Sequence, residues 1–196
     1  MESRFRKLRE IVRLSPGVNP TRIKKQYGLK KLDYYDQTSF DNDNLCKNET
    51  DFDSSEISLP KYNDFVLCEG DVVISNASYK AAIVSRGNGG KVLSNNFIKV
   101  EFISDKLDKD YFLFIFNQHD NLQKQKVRDI QMNGIIQRIT VQSIYEMRIP
   151  ILDIEEQKKI GKVYVETLKL QNKLASYSAL LEKLSFAILE SNVKGF

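Results

Sequence analysis

The strongest constraint in this sequence lies near its C-terminal end. From Ile151 onward no proline interrupts the chain, and the one glycine before Gly195 is Gly161. Asp153 is placed to cap a helix with Glu156 at its third position, a capping-box-like opening. With Ile160 taken as heptad position a, the a positions are Ile160, Thr167, Leu174, Leu181 and Ile188. The d positions are Val163, Leu170, Tyr177, Leu184 and Ser191. Eight of these ten are apolar, over more than four heptads, which is the pattern of a coiled coil. One helix over residues 154–191 would be roughly 57 Å long at ~1.5 Å per residue, longer than a domain of this size is wide. It should therefore project, and a projecting seam of Leu, Ile and Val needs a partner helix. Self-association or a helical partner is expected through Ile160, Val163, Leu170, Leu174, Tyr177, Leu181, Leu184 and Ile188. The alternative is a helix lying across its own domain.

The chain of 196 residues is long enough for one hydrophobic core with an attached element. The expected division is a folded domain over residues 1–152 and the long helix over 153–196. Residues 2–13 read as a short amphipathic helix with Phe5, Leu8, Ile11 and Val12 on one side, ended by Pro16-Gly17. Residues 17–60 are less regular, and the Asp, Asn, Ser and Thr cluster over 41–58 reads as a long loop. From Asp64 the pattern turns to β. Strands are expected at 65–68, 72–75, 80–85 and 97–103, with a hairpin loop at 86–91. Asp108 caps an expected helix over 109–119, and a more polar helix follows over 122–132. Residues 137–141 read as a strand, then come a helical turn near Ser143 and a short strand at Arg148-Ile149-Pro150.

The net charge of +4 conceals a strong asymmetry. Residues 1–32 carry ten Lys/Arg against two acids, whereas residues 33–71 carry two against eleven. Such patterning fits a polyanionic partner such as DNA, and it equally fits a basic start folded against the acidic stretch. No run of eighteen apolar residues suggests a membrane span. The start, MESRFRKLRE, lacks the apolar stretch of a secretory signal. A cytoplasmic protein with no membrane partner is expected. Cys46 and Cys68, with no CxxC spacing, read as two reduced thiols.

Most covalent chemistries find no support. His119 is the only histidine, too few nitrogen and sulfur ligands for a zinc site. Gly87-Asn88-Gly89-Gly90-Lys91 is followed by Val92, so it reads as a hairpin loop rather than a phosphate-binding loop. No GxSxG elbow occurs, and a Ser-His-Asp triad would have to use His119 among Asn, Gln and Asp. Of the acidic-x-Lys pattern that metal-dependent nucleases use, Glu156-Gln157-Lys158 is the one instance, and it sits in the first turns of the long helix. No Asn-Pro-Pro-Tyr-type methylation motif or glycine-rich cofactor loop occurs. No catalytic residue, metal or cofactor is expected.

Four segments in order carry a family resemblance. Leu67-Cys68-Glu69-Gly70-Asp71-Val72-Val73-Ile74-Ser75 resembles the L-x-x-G-D-hydrophobic strand of the target-recognition domain in type I restriction–modification specificity subunits. Val92-Leu93-Ser94-Asn95-Asn96-Phe97-Ile98 resembles the small-polar strand that follows. Gly134-Ile135-Ile136-Gln137-Arg138-Ile139-Thr140-Val141 is similar to the family's G-x-x-Q-x-I element. Met147-Arg148-Ile149-Pro150-Ile151-Leu152 with Ile154-Glu155-Glu156-Gln157-Lys158-Lys159-Ile160 is similar to the junction that opens its conserved spacer helix. The resemblance covers about residues 65–190. It implies an α+β fold: a mixed, mainly antiparallel twisted sheet with flanking helices, then one long coiled-coil helix. It also implies a non-catalytic reader of double-stranded DNA that guides an adenine methyltransferase (modification) subunit and, in the restriction complex, a restriction/translocase subunit. Full specificity subunits carry two recognition domains and two helical regions. This sequence has one of each, so a homodimer through the C-terminal helix, antiparallel if the family geometry holds, or pairing with another half-subunit is expected. The rival reading is a coiled-coil adaptor that binds proteins and no nucleic acid.

On that reading, phosphate contacts position the protein and base-edge contacts specify sequence. The candidate phosphate contacts are Arg22, Lys24 and Lys25, Arg86 and Lys91 on the hairpin, and Lys124, Lys126 and Arg128 on the polar helix. Base reading needs Arg for guanine or Asn/Gln for adenine. The candidates are Arg138 and Gln137, then Gln131, Asn95, Asn96, Lys80 and Tyr79. For each, the alternative is an ordinary solvated side chain.

Overall fold

The computed structural model describes residues 5–21, 33–46, 65–132 and 139–193. The first described part holds β1 (Phe5–Lys7), a 3-10 turn (Leu8–Glu10), β2 (Val12–Pro16), β3 (Tyr34–Tyr35) and α1 (Gln37–Asn44). Then come β4 (Val72–Ser75), β5 (Ala81–Ile83), a 3-10 turn (Arg86–Asn88), β6 (Val92–Leu93) and β7 (Phe97–Phe102). The helices α2 (Lys109–Gln118), α3 (Asp120–Met132) and α4 (Val141–Glu146), the strand β8 (Arg148–Pro150) and the long α5 (Ile154–Val193) complete it.

A four-stranded antiparallel sheet, ordered β2-β7-β4-β5, forms the centre. Strand side chains alternate between faces, and here both faces are covered. Val72 and Ile74 of β4 enter one core and Val73 enters the other. This explains an uninterrupted Val-Val-Ile where a half-exposed strand would alternate with polar residues. In the first core α2 lays Tyr111, Phe112, Ile115 and Phe116 against Leu14, Ile98 and Val100. Their spacing is the helical period, and Asp108 caps the helix by accepting from the Tyr111 amide at 2.9 Å. In the second core Phe97 packs edge-on against Tyr35 at 5.2 Å and stacks on Phe40 at 5.5 Å. Burial, with the Asp43 carboxylate that accepts its hydroxyl proton at 2.8 Å, pushes the Tyr35 pKa upward.

Two smaller pairings close the domain: β1 with β8, antiparallel, and β3 with β6, parallel. The first corrects the helix expected over 2–13. Phe5, Leu8, Ile11 and Val12 do have helical spacing, but Phe5 pairs with Pro150 and Lys7 with Arg148. The β2 strand pairs along its length with β7. These ladders override the local periodicity. Pro16 ends a strand, and Gly17 follows where an added Cβ would lie 2.2 Å from the Ser94 carbonyl oxygen. Three further expectations are corrected. Part of the expected 41–58 loop belongs to α1, capped by the Asp36 carboxylate on the Ser39 amide at 2.8 Å. Val141, expected to end a strand, opens α4, because the Thr140 hydroxyl accepts from the Ser143 amide at 3.1 Å. Val66, expected within a strand, makes a single bridge to Val92.

The long helix is rooted in the domain. Its first turns pack on α2, where Gly161 permits the contact: a Cβ there would lie 2.5 Å from the Tyr111 amide nitrogen. Gln157 is fully buried one turn earlier. Its side chain accepts from the Asp108 amide at 3.0 Å and donates to the Lys106 and Leu152 carbonyls at 2.8 Å each. Asp153 caps the helix by accepting from the Glu155 amide at 3.0 Å. Beyond Leu168 the helix is exposed on nearly every side, Asn172 excepted. No described helix is long and apolar enough to cross a membrane.

Candidate nucleic-acid interface

Two turns meet at one end of the central sheet. The turn at 76–80 joins β4 to β5, closed by hydrogen bonds from the Ser75 amide to the Lys80 carbonyl and from the Tyr79 amide to the Ser75 carbonyl. Tyr79 sits at φ 57°, a left-handed conformation that costs a non-glycine residue about 1 kcal/mol or more. The second turn, at 94–97, joins β6 to β7. Asn76 ties the two together. Its amide donates to the Asn96 carbonyl at 2.9 Å and its side chain to the Asn95 carbonyl at 3.2 Å. Its own carbonyl accepts from the Ile139 amide at 3.2 Å. Tyr79, Lys80, Asn95 and Asn96 are thus gathered at one place, with Lys80, Asn95 and Asn96 exposed and Tyr79 half-buried. Gln137 and Arg138 lie outside the described residues, as do Arg22, Lys24, Lys25 and the Gln131 side chain. Ile139, which follows Arg138, is the residue bonded to Asn76.

The helix α3 borders this place. Lys124 and Arg128 are exposed at i, i+4 spacing. Lys126 corrects the expectation of an exposed phosphate contact: it is 3% exposed and turned inward with Leu122. Its ammonium lies 3.8 Å over the Phe116 ring, donates to the Tyr79 carbonyl at 2.7 Å, and donates to the Phe116 carbonyl. Burial, with the Lys80 charge, lowers its pKa to about 7. Arg86 and Lys91 follow β5 whereas Tyr79 and Lys80 precede it, so the structure separates the two pairs along that strand. Arg86 is exposed. Lys91 is drawn toward α1, donating to the Ser39 hydroxyl at 2.9 Å beside a buried Asn88–Asp43 bond of 2.8 Å.

Asn76, Asn117 and the role of Gln157 were not singled out from sequence. Asn117 had a faint signal, an amide directly after the apolar run Tyr-Phe-Leu-Phe-Ile-Phe and within the same helix. Asn76 had none, since its partners are backbone groups of a distant turn. No group of three or more His, Cys, Asp or Glu among the described residues could hold a metal ion. Cys46 is half-buried and Cys68 exposed, and neither forms a disulfide.

The α5 seam supplies a second surface. Val163, Leu170, Leu174, Tyr177, Leu181, Leu184 and Ile188 are 52 to 68% exposed. Ile160 instead packs partly against its own domain. With Phe114, Val163, Tyr164 and Thr167 it lines an apolar groove of about 440 Å³.

The family model for the type I restriction modification DNA specificity domain matches residues 2–176. The chain belongs to that family. Its fold is shared with the S subunit of the type I restriction–modification system of M. genitalium, at TM-score 0.53 and 13% identity over 93% of this chain and 42% of that one. The HsdS subunit of Thermoanaerobacter tengcongensis gives TM-score 0.54 and 18% identity over 97% and 45%. A chain from a structure of type I R-M complex assembly and conformational transition gives 0.58 and 17% over 97% and 46%. At these identities the likeness is one of fold, and it bears out the α+β architecture with a long terminal helix. The chain spans less than half the length of each of these structures. No curated protein matches it.

Proposed function

We propose that this chain is a non-catalytic DNA-specificity subunit of a type I-like restriction–modification system, with residues 1–152 reading one half of a split target and residues 153–196 serving as spacer. The observation that carries this reading is the convergence of Tyr79, Lys80, Asn95 and Asn96 beside Ile139 and the exposed Lys124 and Arg128, in a chain of the specificity-domain family. Exposed Asn can pair bidentately with adenine in the major groove, and Lys and Arg neutralise phosphates.

The spacer pairs with a second copy. An antiparallel register sets Val163 against Ile188, Leu170 against Leu181, and Leu174 against Tyr177 of the other copy. It also places the polar Thr167 and Ser191 opposite the apolar Leu184 and Ile160. A parallel pairing would instead stack Thr167 on Thr167 and Ser191 on Ser191. A symmetric dimer reads symmetric half-sites. The rod also docks an adenine methyltransferase, and in a restriction complex a translocating nuclease subunit.

The test is binding of the full chain to duplex DNA as salt is raised. A steep linear fall of log affinity with log salt is expected, with a slope near −0.9 per neutralised phosphate. Salt-insensitive or absent binding would favour a protein-only coiled-coil adaptor. Incubation with plasmid and Mg²⁺ should leave the DNA intact, and nicking would overturn the non-catalytic part.

A further inference from the structure

The turn at 76–80 and the start of β5 are pinned by two buried side chains. Lys126 of α3 donates to the Tyr79 carbonyl at 2.7 Å. Asn117 of α2 accepts from the Ala81 amide at 2.7 Å and donates to the Ala81 carbonyl at 2.9 Å. Asn117 therefore occupies the outer edge of β5 as a neighbouring strand would, while Lys126 holds the residue two positions earlier. Between these anchors lies Lys80, exposed, and beside it Tyr79 in its left-handed conformation.

Helix capping alone does not require this lysine. The Phe116 carbonyl, left open at the end of α2, already accepts from the Gln123 side chain at 3.0 Å. What Lys126 adds is the bond to Tyr79. A left-handed non-glycine residue persists only where its surroundings over-determine it, and the Tyr79 carbonyl bond is such a constraint. Charged or neutral, the lysine nitrogen offers N–H donors to both carbonyls.

We propose that Lys126 and Asn117 are positioning residues for sequence reading: together they hold the β4–β5 turn in the one conformation that presents Tyr79 and Lys80 to DNA. The inference rests on the DNA-reading function proposed above. Neither residue contacts DNA, so both act on discrimination between sequences through the turn.

The experiment uses the full chain and two probes: the duplex that the wild-type chain recovers from a random-sequence pool, and a scrambled duplex of equal length. Lys126→Met and Asn117→Leu should each lower the ratio of the two affinities by about tenfold, the scale of one lost base contact. In a Tyr79→Gly/Lys80→Ala background the same substitutions should change that ratio by less than about twofold, because coupled residues are non-additive. A merely structural role would give equal, additive losses in both backgrounds, and that result overturns the proposal. Hydrogen exchange at the Tyr79 and Ala81 amides reads the clamp directly, and should accelerate in Lys126→Met and Asn117→Leu respectively while β7 stays protected. Unchanged exchange in either variant refutes that arm of the clamp. If one variant does not fold, the other, acting from a different helix, carries the test. A wild-type chain that recovers no sequence overturns the reading itself, whereas a wild-type chain that discriminates alongside variants that discriminate equally overturns only the clamp.

Discussion

Replacing Gln157 with leucine keeps the volume of a fully buried side chain at the root of α5 and deletes its hydrogen bonds. Three backbone groups lose their partner: the Asp108 amide and the Lys106 and Leu152 carbonyls. An unpaired buried polar group costs about 1–3 kcal/mol, so three dry orphans would cost roughly 3–9 kcal/mol. All three bonds lie in part-buried positions. Water therefore recovers a share, and the expected loss is about 2–4 kcal/mol. For a chain of this length that lowers the melting temperature by roughly 5–15 °C. Calorimetry on Gln157→Leu reads the shift, with Lys158→Ala, exposed and one residue on, as a control expected within about 0.5 kcal/mol of wild type. A Gln157→Leu melting point within about 1 °C of wild type would refute the reasoning, because it would mean that the root of α5 is not held by these bonds.

Three further outcomes are expected. Leu174→Glu with Leu181→Glu places carboxylates in the α5 seam and should give a monomer by light scattering, whereas a persisting dimer would place the interface elsewhere. Arg138→Ala should weaken specific DNA binding by about 1–3 kcal/mol if that side chain pairs with guanine, measured by titration against the recovered duplex. The Lys126 pKa is lowered to about 7 by burial and by Lys80, so between pH 7 and its ordinary range the unfolded chain holds a proton that the folded chain lacks. Stability should therefore rise with pH across that window, by up to about 1.4 kcal/mol per pH unit, and Lys126→Met should flatten the rise in urea titrations.

What sequence alone revealed divides along the line between local and distant causes. The long helix, the Asp108 cap and the β4 strand are local patterns, and each stands where the spacing put it. Residues 5–16 failed because their partners in β8 and β7 lie far along the chain, and no window of the sequence contains both halves of a ladder. The site divides likewise. Lys80, Asn95 and Asn96 were readable as candidate base contacts from their residue types, though as strand rather than turn positions, and Asn76, which joins their turns, acts through backbone groups that no residue type announces. Lys126 looked like its neighbours Lys124 and Arg128. Only the three-dimensional placement of the Phe116 ring and the Tyr79 carbonyl turns it inward.

In the proposed function this chain chooses where a methyltransferase acts. Single-molecule methylome sequencing of the source cells, with the gene intact and with it deleted, tests it most directly. One split adenine-methylation motif should disappear on deletion and return when the gene is restored. A methylation pattern that is identical in the two strains, in cells where the partner methyltransferase is expressed, would contradict it.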